Sequence, residues 1–261
     1  MSALFTVVVP VYNGQEYIQE TLDSIFNQTY KNYELIVVDG ASTDNTMKIL
    51  EANKSRINLI ISEKDQGMYD ALRKGFDKST GEYMCYINAD DKLLPYTLEK
   101  VVQKFSEKQY DLVFGDVNYI SETGKHLWMY KSVNFGPSAI RSLCRLPFAQ
   151  QSSFWTRKIY FEKGGFDKSL RFVADSKFLF SICLDPAVKK AYIPLPLGEF
   201  RLHSTSLSIG SKTIMQQERS KLNEEMQLNK KTLSRMLYEF VTKIVNMKGI
   251  YQKYTYKGAK L

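Results

Sequence analysis

The sequence predicts an α/β protein with a mostly parallel sheet flanked by helices. Three observations carry this. Short apolar runs alternate with segments of helical periodicity through the first half of the chain. Each run suits a buried strand, and none approaches the ~20 residues that a membrane span needs. Acidic residues recur just after these runs, at Asp39, Asp65 and Asp90, where the carboxyl ends of parallel strands collect ligands.

The elements follow in order. Leu4 to Val9 is a continuous apolar strand that ends at Pro10. Glu16 to Gln28 sets Ile18, Leu22, Ile25 and Phe26 at helical spacing. Glu34 to Val38 is a second buried strand, and Thr43 and Asp44 offer N-cap chemistry for a helix through Met47, Ile49 and Leu50. Ile57 to Ile61 reads as a third strand, Met68 to Lys78 as a helix with Ala71, Leu72, Gly75 and Phe76 on one side, and Tyr83 to Ile87 as a fourth strand. A helix after Pro95 (Leu98, Val101, Val102, Phe105) leads to a strand from Asp111 to Gly115. Beyond it the pattern loosens. Leu127 to Tyr130 suggests a short strand, Phe135 to Ser153 a loop-rich stretch, Phe178 to Leu184 a helix and Lys190 to Ile193 a strand. Met215 to Asn229 is polar and helical, and Leu233, Leu237, Phe240 and Ile244 recur at helical spacing among basic residues.

The chain has 261 residues, 44% of them hydrophobic, enough to bury a large core. Its net charge of +8 is unevenly spread. The last 32 residues hold eight basic side chains (Lys230, Lys231, Arg235, Lys243, Lys248, Lys253, Lys257, Lys260) and one acidic, Glu239, leaving 28 basic and 27 acidic residues before them. A nearly neutral body without a recognition motif argues against nucleic acid as partner. Cys85, Cys144 and Cys183 are odd in number and widely spaced, so they form neither a zinc pattern nor a disulfide framework. Met1 to Pro10 lacks a signal-peptide pattern. The expected setting is the cytoplasm.

Asn88-Ala89-Asp90-Asp91 is the most telling motif. Carboxylates at the end of a buried strand suit a hard divalent cation, Mg²⁺ or Mn²⁺. Such a cation offsets the charge of a diphosphate leaving group. Taken alone, the motif is equally an acidic turn. It has company, in order: Val7-Val8-Val9-Pro10-Val11-Tyr12-Asn13, Val37-Val38-Asp39-Gly40-Ala41-Ser42-Thr43-Asp44-Asn45-Thr46, Ser62-Glu63-Lys64-Asp65-Gln66-Gly67-Met68-Tyr69-Asp70-Ala71, Gly81-Glu82-Tyr83, Gly164-Gly165-Phe166-Asp167 and Ala174-Asp175. This series resembles glycosyltransferase family 2, inverting enzymes with the Rossmann-like GT-A fold, and in particular its bacterial polysaccharide and O-antigen branch. The resemblance covers roughly Leu4 to Ser208.

The resemblance implies a GT-A domain over 1–212, with a nucleotide-binding half at 1–95 and an acceptor-binding half at 96–212, then a helical basic extension at 213–261. Pro10, Tyr12, Asn13, Asp39, Asp65, Asp70 and Asp90 are the expected nucleotide-binding residues, with Asp39 on the base. Asp90, Asp91 and His203 are the expected metal group, Asp90 as direct ligand and Asp91 beside it or in support. Where the family usually has Asp, this chain has Asn88, which removes one charge from that cluster. Asp175 is the expected general base, although it also suits a helix cap. Asp116, Gln150, Gln151 and Trp155 are the expected acceptor or sugar contacts, with Trp155 equally suited to the core. Arg201 is expected to pair with phosphate or with a core carboxylate.

The implied activity is transfer of a sugar from a nucleotide-diphosphate donor, expected to be UDP-linked, to a hydroxyl of a lipid-linked glycan. The basic, aromatic-rich tail fits a peripheral contact with the inner face of the plasma membrane. Two readings compete. A non-catalytic nucleotide-binding scaffold at the membrane fits Asn88 and the tail. A sugar nucleotidyltransferase shares the architecture but requires a Gly-rich, basic loop after the first strand, and Pro10 to Gln15 has neither Lys nor Arg.

Overall fold

A computed structural model of the chain describes residues 3–204, 212–228 and 232–255. Its first half winds as the alternation requires: β1 (Phe5–Val11), α1 (Ile18–Phe26), β2 (Tyr33–Asp39), α2 (Thr46–Ala52), β3 (Leu59–Ser62), α3 (Met68–Asp77) and β4 (Tyr83–Tyr86). β2 and β4 flank β1, and β3 flanks β2, all parallel. Their carboxyl ends therefore share one edge, with Val11 in register with Asp39 and Val8 with Tyr86.

The second half carries the expected helix after Pro95, the strands near 111–115, 127–130 and 190–193 and the helix near 178–184, and adds elements the sequence did not announce. It contains β5 (Lys92–Leu93), α4 (Thr97–Glu107), β6 (Leu112–Ser121), β7 (His126–Tyr130), α5 (Pro137–Leu143), β8 (Ser153–Thr156), α6 (Arg157–Glu162), α7 (Ala174–Cys183) and β9 (Lys190–Leu202). The sheet order is β3-β2-β1-β4-β8-β6-β9-β5, with β7 hydrogen-bonded to β6. β8, unread in the sequence, is antiparallel between β4 and β6. The expected loop at 135–153 contains α5 and a 3₁₀ turn at Gln150–Ser152. β9 runs far past Ile193 because its Pro194 and Pro196 lie where its register with β6 shifts, a position that spares a strand the missing proline N–H.

Alternate strand residues feed two cores. Val8, Ile36, Val38, Met84, Leu112 and Phe114 face α3, α6 and α7. Val7, Val9, Leu35, Val37, Cys85 and Val113 face α1 and α4. Trp155 joins the first core, fully buried against Phe76, Tyr86, Phe166 and Phe178. Of the two roles open to Trp155, the structure gives it the core, where its inward-facing indole packs among other buried side chains rather than at a sugar site.

The extension supplies α8 (Lys212–Glu225), α9 (Thr232–Val245) and α10 (Met247–Thr255). α8 belongs to the body. Leu222 is buried in the first core, and the Glu218 carboxylate accepts the amides of Arg171 (2.8 Å) and Phe172 (2.9 Å). Residues 205–211, Lys230, Lys231, Lys257, Lys260 and the side chain of Leu233 lie outside the described residues, and the expected boundary at 212 borders them.

Candidate active site

The carboxyl ends of β1 and β2 form one corner of the site. Pro10 is buried within β1, while Tyr12 stands 64% exposed beyond it. Asn13 and Ala41 both have left-handed backbones, with φ of 50° and 63°. Such conformations are costly for non-glycine residues and persist where neighbours enforce them. Here the two loops lock together: the Asn13 amide donates to Ser42 Oγ (2.8 Å), and the Thr43 amide donates to Asn13 Oδ1 (2.9 Å). Asp39 is completely buried beneath this corner, and its Oδ2 accepts from Ser62 Oγ (2.8 Å) and the Ser42 amide (3.1 Å). These bonds let Asp39 hold the loop.

Asp65 is the more open acid here. Its carboxyl lies over Gly40, where a Cβ would come within 2.5 Å of Oδ2, so glycine permits the approach. Asp65 Oδ1 accepts the Gly67 amide (2.9 Å), and Asp70 Oδ2 accepts the Gln66 amide (3.1 Å) while pairing with Lys74 at 3.5 Å. These acids brace the 63–67 loop between β3 and α3.

The turn after β4 separates its two carboxylates. The Asp90 Oδ2 lies 2.8 Å from His203 Nε2. Asp91 is wholly buried, and its oxygens accept from the Arg201 amide (3.0 Å), Asn88 Nδ2 (3.0 Å) and Gln151 Nε2 (3.1 Å). Burial drives the Asp91 pKa well up, the Asp90 charge adds to this, and the three donors oppose it. Of the two places expected for Asp91, beside the ligand or in support of it, these donors on its oxygens favour support. α1 secures the same turn through Thr21 Oγ1, which donates to the carbonyls of Ala89 (2.9 Å) and Asp91 (2.8 Å).

Arg201 joins the turn to the end of β9. Its side chain is fully buried and reaches Glu20 Oε2 (2.7 Å), the Asp90 carbonyl (2.9 Å) and the Glu122 carbonyl (2.7 Å). The guanidinium lies 4.6 Å from the Tyr17 ring centroid, and that ring is 4.9 Å from the His203 ring. The sequence offered phosphate or a carboxylate as its partner; the structure selects Glu20. Arg201→Ala takes the donor from the part-buried Asp90 and Glu122 carbonyls and leaves a cavity where a fully buried side chain stood. It is expected to cost about 3–5 kcal/mol, read as a lower urea midpoint.

The residues at this turn fit a divalent cation. Among the described residues no three His, Cys, Asp or Glu side chains cluster to hold one. Asp90 and His203 nevertheless offer an oxygen and a nitrogen side by side, and Asn88 Oδ1 is buried without a hydrogen-bond partner. Mg²⁺ and Mn²⁺ accept such partial protein shells, completed by substrate phosphates and water.

Asp175 occupies the first turn of α7 without capping it. Half-buried, it accepts from Tyr69 Oη (3.0 Å) and the Ser176 amide (2.6 Å), with Tyr86 as a further donor. Burial lifts its pKa against the pull of these donors. Tyr86 is the link, since it ends β4 four residues before Asp90. The 3₁₀ turn ties in from the second half of the chain: Gln150 Nε2 donates to the Tyr86 carbonyl (2.9 Å), and Gln151 to Asp91 as above. Asp116, by contrast, is buried in β6, where its Oδ1 accepts from the Ser132 amide and Tyr192 Oη, both at 2.8 Å. Its sugar-contact role is corrected to holding this corner of the sheet. Tyr17, Glu20, Tyr69 and Tyr86 escaped the sequence reading. The available signal was a tyrosine at the end of an apolar strand and others on amphipathic helix faces.

Comparison with known proteins follows this geometry. The family described as "Glycosyl transferase family 2" matches residues 6–172. The chain is 31% identical over 206 residues to a PGL/p-HBAD biosynthesis glycosyltransferase of Mycobacterium bovis, covering 76% of each chain. The fold is similar to S. aureus TarS 1-349 solved with UDP-GlcNAc, at TM-score 0.69 and 18% identity, covering 97% of this chain and 73% of that one. It is also similar to the mannosyltransferase PcManGT of Pyrobaculum calidifontis solved with GDP-Man and Mn²⁺, at TM-score 0.64 and 18% identity over 97% and 73%.

Proposed function

Since the chain belongs to glycosyl transferase family 2, we propose that it is an inverting enzyme that moves a sugar from a UDP-linked donor to a hydroxyl of a lipid-linked glycan. The observation that carries this reading is the division of labour among three acids. Asp90 pairs with His203 at the mouth of β4, Asp91 is sealed beneath it, and Asp175 stands apart in a desolvated niche of tyrosines.

In this reading the nucleotide lies along the β1–β2 corner, with Tyr12 and Asn13 above and Asp65 beside it. Asp39 and Asp70 keep the two loops in shape. Asp90 and His203 would hold Mn²⁺ or Mg²⁺, which when bound offsets charge developing on the departing diphosphate. Asp175 takes the proton of the acceptor hydroxyl as that oxygen attacks the anomeric carbon from the side opposite the leaving group. An α-linked donor then gives a β-linked product. A base with a raised pKa is well matched to this task near neutral pH. Gln150 and Gln151 bridge donor and acceptor halves and keep the turn and the base in register.

The relative named for PGL/p-HBAD biosynthesis and the TarS complex with UDP-GlcNAc support a nucleotide-sugar donor and a bacterial glycoconjugate product. The PcManGT complex supports a divalent cation. A panel of nucleotide sugars with Mn²⁺ and a short lipid-pyrophosphate sugar tests the reading. Transfer from one UDP-sugar, with UDP binding heat in calorimetry, is the expected result. UDP binding without turnover against any acceptor favours the scaffold, and no UDP heat at all removes both.

A further inference from the structure

The last two helices are mounted inside out. Thr242 and Asn246, each 5% exposed, and Gly249 form the buried edge. Asn246 pairs with the Lys131 backbone in both directions, accepting its amide (2.6 Å) and donating to its carbonyl (2.9 Å). A Cβ at Gly249 would stand 2.4 Å from the Met129 carbonyl oxygen, so α10 presses directly on β7. Tyr238 meets Phe135 beside α5, with ring centroids 5.2 Å apart. The outward edge is apolar. Of the twelve large hydrophobic side chains exposed among the described residues, eight lie here: Met236, Leu237, Phe240, Ile244, Val245, Met247, Tyr251 and Tyr254. An amphipathic helix that only packs on its own core buries the opposite face, and a row this continuous marks an interaction surface.

The charges along the row select the partner. Arg235 is paired with Glu239 at 2.8 Å, which leaves Lys243, Lys248 and Lys253 exposed without a further acidic residue in either helix. A second copy docked by a two-fold axis would bring these lysines against their own images. An anionic bilayer meets both needs: acyl chains take the apolar row, lipid phosphates take the lysines, and Tyr251 and Tyr254 suit the interface. The geometry points to α9 and α10 as a lipid-docking face for anionic membranes, held to β7 and α5 by their polar edge. This rests on the proposed lipid-linked acceptor for its use but not for its test.

Flotation of the full chain with phosphatidylglycerol-containing vesicles, beside neutral phosphatidylcholine vesicles, provides that test. Binding to the anionic vesicles alone is expected. Phe240→Ser with Ile244→Ser weakens it about 100-fold, and Lys243→Glu with Lys248→Glu about 30-fold or more. Both pairs are solvent-facing, so thermal melts stay unchanged, and so does transfer to a short water-soluble acceptor. Equal binding by wild type and both variants, or no binding by wild type, overturns the proposal. So does a dimer in sedimentation that the Phe240/Ile244 pair dissociates. Vesicle binding without transferase activity would sink the enzymatic reading and leave this one standing.

Discussion

Asp175→Asn lowers transfer by about 10²- to 10⁴-fold, the usual loss when a general base is removed, while UDP affinity stays at the wild-type value. The carboxylate is half-buried and accepts from Tyr69 and Ser176. Asparagine Oδ1 still accepts from Tyr69 and the Ser176 amide, the two donors to Asp175 Oδ1, while its NH₂ takes the place of the other oxygen, so basicity is lost and the niche keeps two of its three donors. The pH profile carries the second part of this prediction. Burial raises the Asp175 pKa above that of an ordinary aspartate. The acidic limb of kcat/KM therefore falls at a higher pH than for a solvated acid, as the base becomes protonated. Stability moves the opposite way. A group whose folded pKa is raised binds its proton more tightly when folded, so its contribution falls as pH rises from the unfolded to the folded value. Above the folded value the wild type bears that cost in full, and Asp175→Asn bears it at no pH. The variant is expected to melt no lower than wild type, and a lower melt with retained turnover would give Asp175 a structural role instead.

The legible part of the chain is the part where local pattern and tertiary role agree. β1, β2 and β4 are buried on both faces, so each reads as an unbroken apolar run, and the acids that follow them mark the ligand edge. β8 has four residues and is paired antiparallel between strands from both halves, so nothing local distinguishes it from a loop. β9 hides behind two prolines whose missing amides fall at a register shift. Within the site, Asp175 and His203 could be picked out by motif and rarity. The resemblance set Asp90 apart from Asp91, but the physical cause of the difference was not legible. The difference is made by Arg201 and His203, more than a hundred residues away along the chain, which close on the turn from the end of β9. Trp155 and Asp116 show the converse, residue types common at sugar sites that the pleat turns inward.

Asp90 and Asp91 are neighbours whose substitution should produce opposite phenotypes. Asp90→Asn takes the proposed metal ligand from the Asp90–His203 pair and removes a charge that bears on buried Asp91. Transfer is expected to fall by about 10²- to 10³-fold, as when a principal electrostatic stabiliser of a developing charge is lost. The protein should fold normally, because the repulsion felt by Asp91 is relieved. The rise in melting temperature that Mn²⁺ with UDP gives the wild type should disappear. Asp91→Ala acts through structure. It strips acceptors from the Arg201 amide, Asn88 Nδ2 and Gln151 Nε2, and each buried donor left unmet costs about 1–3 kcal/mol. That loss is readable in urea without any ligand. Should Asp91→Ala keep wild-type stability while abolishing the Mn²⁺ response, and Asp90→Asn retain that response, the two assignments would have to be exchanged.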